Sequence, residues 1–393
     1  MPVSERIYLD NAATSWPKPE TVYDAVTHYL RHIGASAGRS AYREAVDAER
    51  IVDDTRRHVA RLVGAADANS IIFTSNGTDG LNLALYGVLR PGDHVVTSVV
   101  EHNSMLRPLA ELRKRQNVDV SYIRTDGSGL IEPDDVRAAI RPNTRLIALA
   151  HASNVTGAIL PLAEIGLIAR EHGVLSLVDA AQTLGHLPVD VARLHVDLLA
   201  GSGHKGLLGP LGTGILYIRP GVENDLASLR QGGTGTQSDE ELQPDRPPEK
   251  YEVGNLNVPA LAGLRAGAEY LNKQGIKARR QHELRVTDHL LGQLGQVDGV
   301  TLFGPRQAEQ RVAVLSLNVV GSSPQEVATM LDCTYRIQVR AGLHCAPRMH
   351  RCLGTFDTGG TVRLSWGAFT TDEQIAAAVE AIREIAAQNA VPH

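Results

Sequence analysis

Between about residues 70 and 220 the chain alternates short apolar runs with amphipathic segments, a pattern that restricts the fold more than any other feature. The runs are Ser70–Thr74, His94–Ser98, Val120–Arg124, Leu146–Ala150, Val174–Val178, Leu198–Ala200 and Gly214–Ile218. They are rich in β-branched residues and apolar on both faces, as strands covered on both sides must be. With helical stretches between them, they predict an α/β fold built on a mostly parallel central sheet. Ligands of such sheets gather beyond the carboxyl ends of the strands.

At 393 residues the chain has room for a large domain and a smaller one. We expect a segment 1–15 that packs with the small domain, a large domain 16–257 and a smaller α+β domain 258–393. The stretch 230–250, QGGTGTQSDEELQPDRPPEK with its preceding arginine, reads as a long surface loop. Beyond it, Val258–Asn272 reads as a helix, followed by strands at Val312–Asn318, Ile337–Val339 and Val362–Trp366. Thr371 to Gln374 forms a capping-box pattern ahead of a final helix.

Composition narrows the function. A net charge of −5 gives no electrostatic footprint for nucleic acid, and 4% aromatic residues leave little for base stacking. No apolar run is long enough to span a bilayer, and the N-terminus lacks a signal pattern, so the expectation is a soluble cytoplasmic chain. Cys333, Cys345 and Cys352 are odd in number and lack metal-ligand spacing, which argues against a disulfide framework or a zinc site.

Polar clusters follow the apolar runs. After the first comes SNGTDGLN, where Gly77 and Thr78 open a helix and offer free N–H groups to an anion, although such a turn is often a simple cap. Asp179 directly follows VLSLV; a carboxylate at the lip of a buried strand is costly unless a cation pairs with it. A helix N-cap is the plainer alternative. A protonated pyridine nitrogen is the kind of cation that would repay the burial, and the pair keeps such a ring an electron sink. The next run leads into GSGHKGLLGPLGTG. Lys205, set among glycines, can attack an aldehyde only when desolvation or a cation lowers its pKa. Ser202 and His204 stand where they could bond a phosphate, although a lone histidine at such a place is more often structural.

The cluster, taken with YLDNAATSWPKP, FTSNGTDGLN, TSVVEHNS, SNVTG, LVDAAQT, YEVGNLNV, RAGLHCAP and RLSWGAFTT, resembles the class V aminotransferase group of fold-type I pyridoxal-phosphate enzymes. Within that group it is most similar to the cysteine desulfurase and selenocysteine lyase branch. The resemblance implies pyridoxal 5′-phosphate carried on Lys205, with Asp179 at the ring nitrogen and His102 stacked on the ring. It implies Gly77, Thr78, Ser202 and His204 around the phosphate, and Asn154 and Gln182 at the ring hydroxyl or the substrate. Arg363 would clamp the substrate carboxylate; without the resemblance, an ion pair on a surface strand is the simpler assignment. A homodimer is implied too, with segment 230–257 helping complete the neighbour's phosphate site.

Cys345 decides the reaction type. Arg340, His344 and Arg348 are its basic neighbours, Gly342 is expected to give flexibility and Pro347 to limit helix formation. Most free cysteines are small buried hydrophobes, the assignment kept for Cys333, while Cys352 could accept sulfur or be inert. The resemblance implies that Cys345 takes sulfur from L-cysteine, or selenium from L-selenocysteine, and passes it on, often to an acceptor protein. A class V aminotransferase, lyase or epimerase without persulfide chemistry is the alternative enzyme, and a non-catalytic scaffold the alternative to an enzyme. Departures from the common pattern fall at Gly77, Asp79, Asn255 and Leu343.

Overall fold

The structure, a computed structural model, describes residues 6–390 apart from positions 39 and 238. The expected N-terminal segment, the 230–257 loop and the C-terminal domain therefore each extend beyond the described residues, at 1–5, 238 and 391–393. In chain order the strands are β1 (Ile7–Tyr8), β2 (Ile71–Thr74), β3 (His94–Ser98), β4 (Asp119–Ile123), β5 (Thr144–Ala150), β6 (Leu175–Asp179), β7 (Leu198–Ser202), β8 (Gly214–Ile218), β9 (Val300–Phe303), β10 (Val314–Val319), β11 (Ile337–Gln338), β12 (Arg340–Gly342) and β13 (Thr361–Ser365). The helices are α1 (Glu20–His28), α2 (Arg43–Val63), α3 (Gly77–Val88), α4 (Asn103–Gln116), α5 (Pro133–Ala138), α6 (Leu162–Glu171), α7 (Val258–Gln274), α8 (Ile276–Leu294), α9 (Pro324–Tyr335), α10 (Pro347–Cys352) and α11 (Asp372–Ala390).

The central sheet runs in the order β2-β8-β7-β6-β5-β3-β4. Strand β8 is antiparallel to β2 and β7, and the remaining pairs are parallel. Each apolar run read from the sequence is one of these strands. Strands β2, β3, β7 and β8 are buried along their whole length, because helices cover both faces. Helix α2 shows how the cover is made. Ala45, Ala48, Val52, Val59 and Val63 recur at helical spacing and are all buried. Each valine so buried contributes about 1.5–3 kcal/mol.

Helix α7, with which the smaller domain was expected to begin, packs in the large core. Val258, Leu261, Leu264, Ala268 and Leu271 are buried there beside Ile51, Val52 and Val59 of α2. The C-terminal core draws instead on Leu290 of α8, Leu315 and Leu317 of β10, Leu364 of β13 and Ile382 of α11. Ile276 at the start of α8 still packs against the large core, and α8 enters the C-terminal core from Val286 onward. This second core lies on a sheet of order β12-β13-β10-β9, antiparallel throughout. Two details differ from expectation. Ile337 and Gln338 pair with β1 rather than with this sheet, and β9 carries no recognisable sequence signal, because its residues are mostly half-exposed. The Thr371 hydroxyl and Gln374 side chain do form the reciprocal cap, at 3.3 and 3.2 Å.

The N-terminal segment joins both bodies. Leu9 lies in the C-terminal core, while Thr14 and Ser15 donate their hydroxyls to His204 O, both at 3.1 Å. A buried network makes a second join: Arg279 of α8 donates to Gly206 O at 2.8 Å and to Glu283 at 2.9 Å, and Glu283 accepts from His186 at 2.8 Å. Among the described residues no helix is long and apolar enough to cross a membrane, and no group of three or more His, Cys, Asp or Glu is arranged to hold a metal.

Candidate active site

The register of the sheet sets the site. Ala150 at the end of β5 lies beside Asp179 at the end of β6, and Asp179 beside Ala200 of β7. Their carboxyl ends therefore open on one place. Asp179 is buried and accepts one hydrogen bond, from Ala181 N–H at 2.9 Å. No helix starts there, so the N-cap alternative does not hold. Burial pushes its carboxyl above the usual range, opposed by the Ala181 N–H and by the charge on Lys205.

Strand β7 ends at Ser202, and the glycines around Lys205 exist because the backbone has no room for side chains. A Cβ at Gly203 would lie 2.2 Å from Thr213 Oγ1, and one at Gly206 2.2 Å from Leu184 O. Desolvation lowers the Lys205 pKa to about 8; Asp179 opposes the shift, and Arg363 and Arg340 add to it. His204 is lowered to about 4, by burial first and by Lys205 and Lys18 next.

Gly77 explains itself in the same way. A Cβ there would stand 2.8 Å from Ser202 Oγ, so glycine at this position keeps α3 close to the end of β7. Asn76 caps α3 by accepting from Asp79 N–H at 2.9 Å, while Asp79 itself accepts from Ser75 N–H at 2.9 Å and pairs with Arg230 at 3.3 Å. Thr78 then reaches Ser104 at 2.7 Å, and Ser104 reaches His102 Nδ1 at 2.8 Å. His102 caps α4, accepting from Ser104 N–H at 3.1 Å, which assigns the ring proton to Nε2. Burial lowers its pKa to about 4, helped by Lys205, Arg340 and Arg363, so the ring is neutral at pH 7.

Gln182 donates to Ala12 O at 3.2 Å, and Asn154 to His344 O at 2.7 Å. Arg363 is 1% exposed, which overturns the surface ion pair in favour of a buried one. It donates to Asp10 at 2.7 Å and to Asn154 O at 3.2 Å.

One cavity of 460 Å³ is lined by all of these cofactor and substrate candidates, from Gly77 to Arg363. Cys345 stands outside it, in an adjoining groove that shares Thr78, His102 and Ser104 as a common wall. Arg340 lines the cavity and brings a guanidinium nitrogen to 3.9 Å from Cys345 Sγ. The cysteine segment is fixed rather than loose. His344 and Cys345 both hold left-handed backbone angles, φ 47° and 58°. Asn103 N–H donates to Cys345 O at 2.7 Å, and the His344 ring bonds Thr361 O at 3.0 Å. Pro347 opens α10 instead of limiting helix formation, its missing N–H being harmless in the first turn, and Gly342 lies within β12. Cys333 and Cys352 are both exposed, not buried.

Glu101 escaped the sequence reading. It is fully buried, accepts from Ser98 Oγ at 2.6 Å and Ala150 N–H at 2.9 Å, and its pKa is pushed up to about 8 by desolvation. Its one signal is an acidic residue directly after an apolar run, in VVEHNS. Asp10 was missed as well, since its partner Arg363 is 353 residues away.

The donor set fits pyridoxal 5′-phosphate. Several buried polar atoms have no partner: His204 Nδ1, Asn154 Oδ1 and Arg363 Nε, all on residues of the cavity wall. An amine of lowered pKa, a buried carboxylate for a ring nitrogen and the first-turn amides of α3 complete it.

The aminotransferase class-V family model matches residues 7–377. A probable cysteine desulfurase of Methanothermobacter thermautotrophicus is 38% identical over 97% of this chain and 95% of its own length. A cysteine desulfurase of Escherichia coli is 31% identical over 96% of this chain and 93% of its own. The solved apo structure of cysteine desulfurase from Thermococcus onnurineus superposes with a TM-score of 0.92 at 33% identity, covering 98% of this chain and 95% of that one.

Proposed function

Because the chain belongs to the aminotransferase class-V family, whose cofactor is pyridoxal 5′-phosphate, we propose that it is a cysteine desulfurase that converts L-cysteine to L-alanine and keeps the sulfur as a persulfide on Cys345. The observation that carries this proposal is the shared wall. A thiol on a fixed segment faces a groove that meets the lysine cavity along Thr78, His102 and Ser104.

The cofactor supplies an aldehyde that a primary amine can join and a ring that stabilises negative charge at the substrate Cα. Lys205 would hold that aldehyde and, once free, move the Cα proton. Asp179 would hold the ring nitrogen in its charged form, and neutral His102 would cover the ring face. The α3 amides, Thr78, Ser202 and His204 would take the phosphate, with Gln182 and Asn154 orienting the ring hydroxyl or the substrate. Arg363, kept aimed by Asp10, would bind the substrate carboxylate. The Cys345 thiolate attacks the substrate sulfur; the S–S bond forms as the C–S bond breaks, and the electron pair stays with the carbon skeleton, which is protonated to alanine.

We further propose a homodimer in the cytoplasm. Leu211 at the cavity rim is 67% exposed and Leu242 of the 230–257 segment 82% exposed, apolar surfaces that a second copy would cover. Free exposed thiols at Cys333 and Cys352 suit a reducing compartment. The test is Cys345→Ala holoenzyme supplied with L-cysteine. The yellow cofactor absorbance should persist while alanine release stops; full turnover in the variant would refute the assignment.

A further inference from the structure

A second groove, of 1090 Å³, is lined by α4, the end of β4 and α10, next to the Cys345 segment. Arg107, Arg124, Arg348 and Arg351 line it, no acidic residue does, and Val99, Leu106 and Pro347 supply apolar wall. None of the ion pairs among the described residues involves these four arginines. Four such arginines on one groove without a carboxylate among its lining residues stand out in a chain of net charge −5. Two are held in place without being neutralised: Arg348 stacks 3.6 Å over Tyr122 and Arg351 4.0 Å over Phe356. Stacking occupies the flat faces of a guanidinium and leaves its N–H edges free. The hydroxyl of Thr125, also in the groove wall, is buried without a partner. The groove is continuous with the reactive segment. Asn103 and Arg107 border both it and the Cys345 groove, and Cys345 lies two residues before Pro347.

We propose that this groove docks an acidic segment of a partner protein, and that the partner so held receives the sulfur from Cys345. The identification of the partner as sulfur recipient rests on the desulfurase function; the docking does not. A cleft lined by one sign of charge concentrates the opposite sign and steers association. Its size and openness exceed what a small anion needs and suit an extended carboxylate-bearing chain laid across an apolar floor. Transfer is a balanced exchange: the recipient's thiolate attacks the outer sulfur of the Cys345 persulfide, a new S–S bond forms, and the Cys345 thiolate leaves.

The test uses the holoenzyme and a fluorescein-labelled poly-glutamate peptide, followed by anisotropy at low salt. Binding should weaken about tenfold or more in Arg124→Ser/Arg351→Ser, and be lost at high salt. It should be unchanged in Arg113→Glu/Lys114→Glu, at the distant end of α4, which controls for non-specific attraction. Alanine release with a small thiol as acceptor should be the same in all three proteins. Peptide binding equal in wild type and Arg124→Ser/Arg351→Ser, or absent at low salt, overturns the proposal. So does binding of mercaptosuccinate without binding of the peptide, which marks a small-anion pocket. Failure of alanine release in wild type would instead strike the desulfurase assignment and leave the docking result standing.

Discussion

Lys205 and Glu101 make opposite use of the same burial. For the lysine, desolvation favours the free amine, with a pKa of about 8. Capture of an aldehyde by the cofactor-free enzyme should therefore speed up about tenfold per pH unit below that point and level off above it. Stopped-flow absorbance on adding pyridoxal 5′-phosphate across pH 6 to 10 checks this; a flat profile would mean the amine is not the titrating nucleophile. For the glutamate, the folded carboxyl holds its proton up to about 8, whereas the ordinary value is 4.5. Above 4.5 the unfolded chain loses that proton while the folded one keeps it, so this group's contribution to stability falls as pH rises to about 8. Glu101→Gln has no such slope. Urea midpoints of the variant relative to wild type should rise between pH 5 and pH 8, and a constant difference would contradict the shift. Most of the site was legible at this scale because Asp179, Lys205 and Gly77 sit at unusual places in the sequence, a charge after a buried run or a glycine cluster. Asp10 was not, because Arg363 is brought to it only by the fold, and Glu101 showed only its place after an apolar run, since Ala150 N–H reaches it from the neighbouring strand.

At the scale of elements, the strands of the large sheet were readable because burial on both faces leaves nothing but apolar, β-branched residues in them. The C-terminal body was less so. Its strands are short or half-covered, and pairing of β1 with β11 joins residues 330 positions apart, as with Ile7 and Ile337. Helix α7 reads as a helix, but nothing in its periodicity tells which core it serves. Helix α11 offers a clean check on the local signals. Thr371→Ala removes the hydroxyl that accepts from Gln374 N–H, and should cost about 1 kcal/mol of stability without changing alanine release. Denaturant titration beside a turnover assay measures both; loss of activity would give the cap a role beyond the helix.

Across the whole molecule, the active site depends on two bodies and a bridging N-terminal segment. Asp179 ends β6 and Lys205 lies in the turn after β7, Arg363 comes from β13 and Cys345 from the segment between β12 and α10, and Arg279 ties α8 to the backbone beside Lys205. Arg279→Met leaves Glu283 and His186 buried with a missing cation. It should cost about 3–5 kcal/mol and loosen cofactor retention, read by denaturant midpoint and by cofactor loss on dialysis; unchanged values would make the network dispensable.

The central claim is that Lys205 and Cys345, in adjoining spaces, serve one reaction. Peptide-resolved mass spectrometry of the holoenzyme after a single turnover of L-cysteine, with alanine measured in the same sample, tests it most directly. One added sulfur atom on Cys345, matched by one alanine, is the predicted result. Alanine without sulfur on Cys345, or a keto acid in place of alanine, would contradict it.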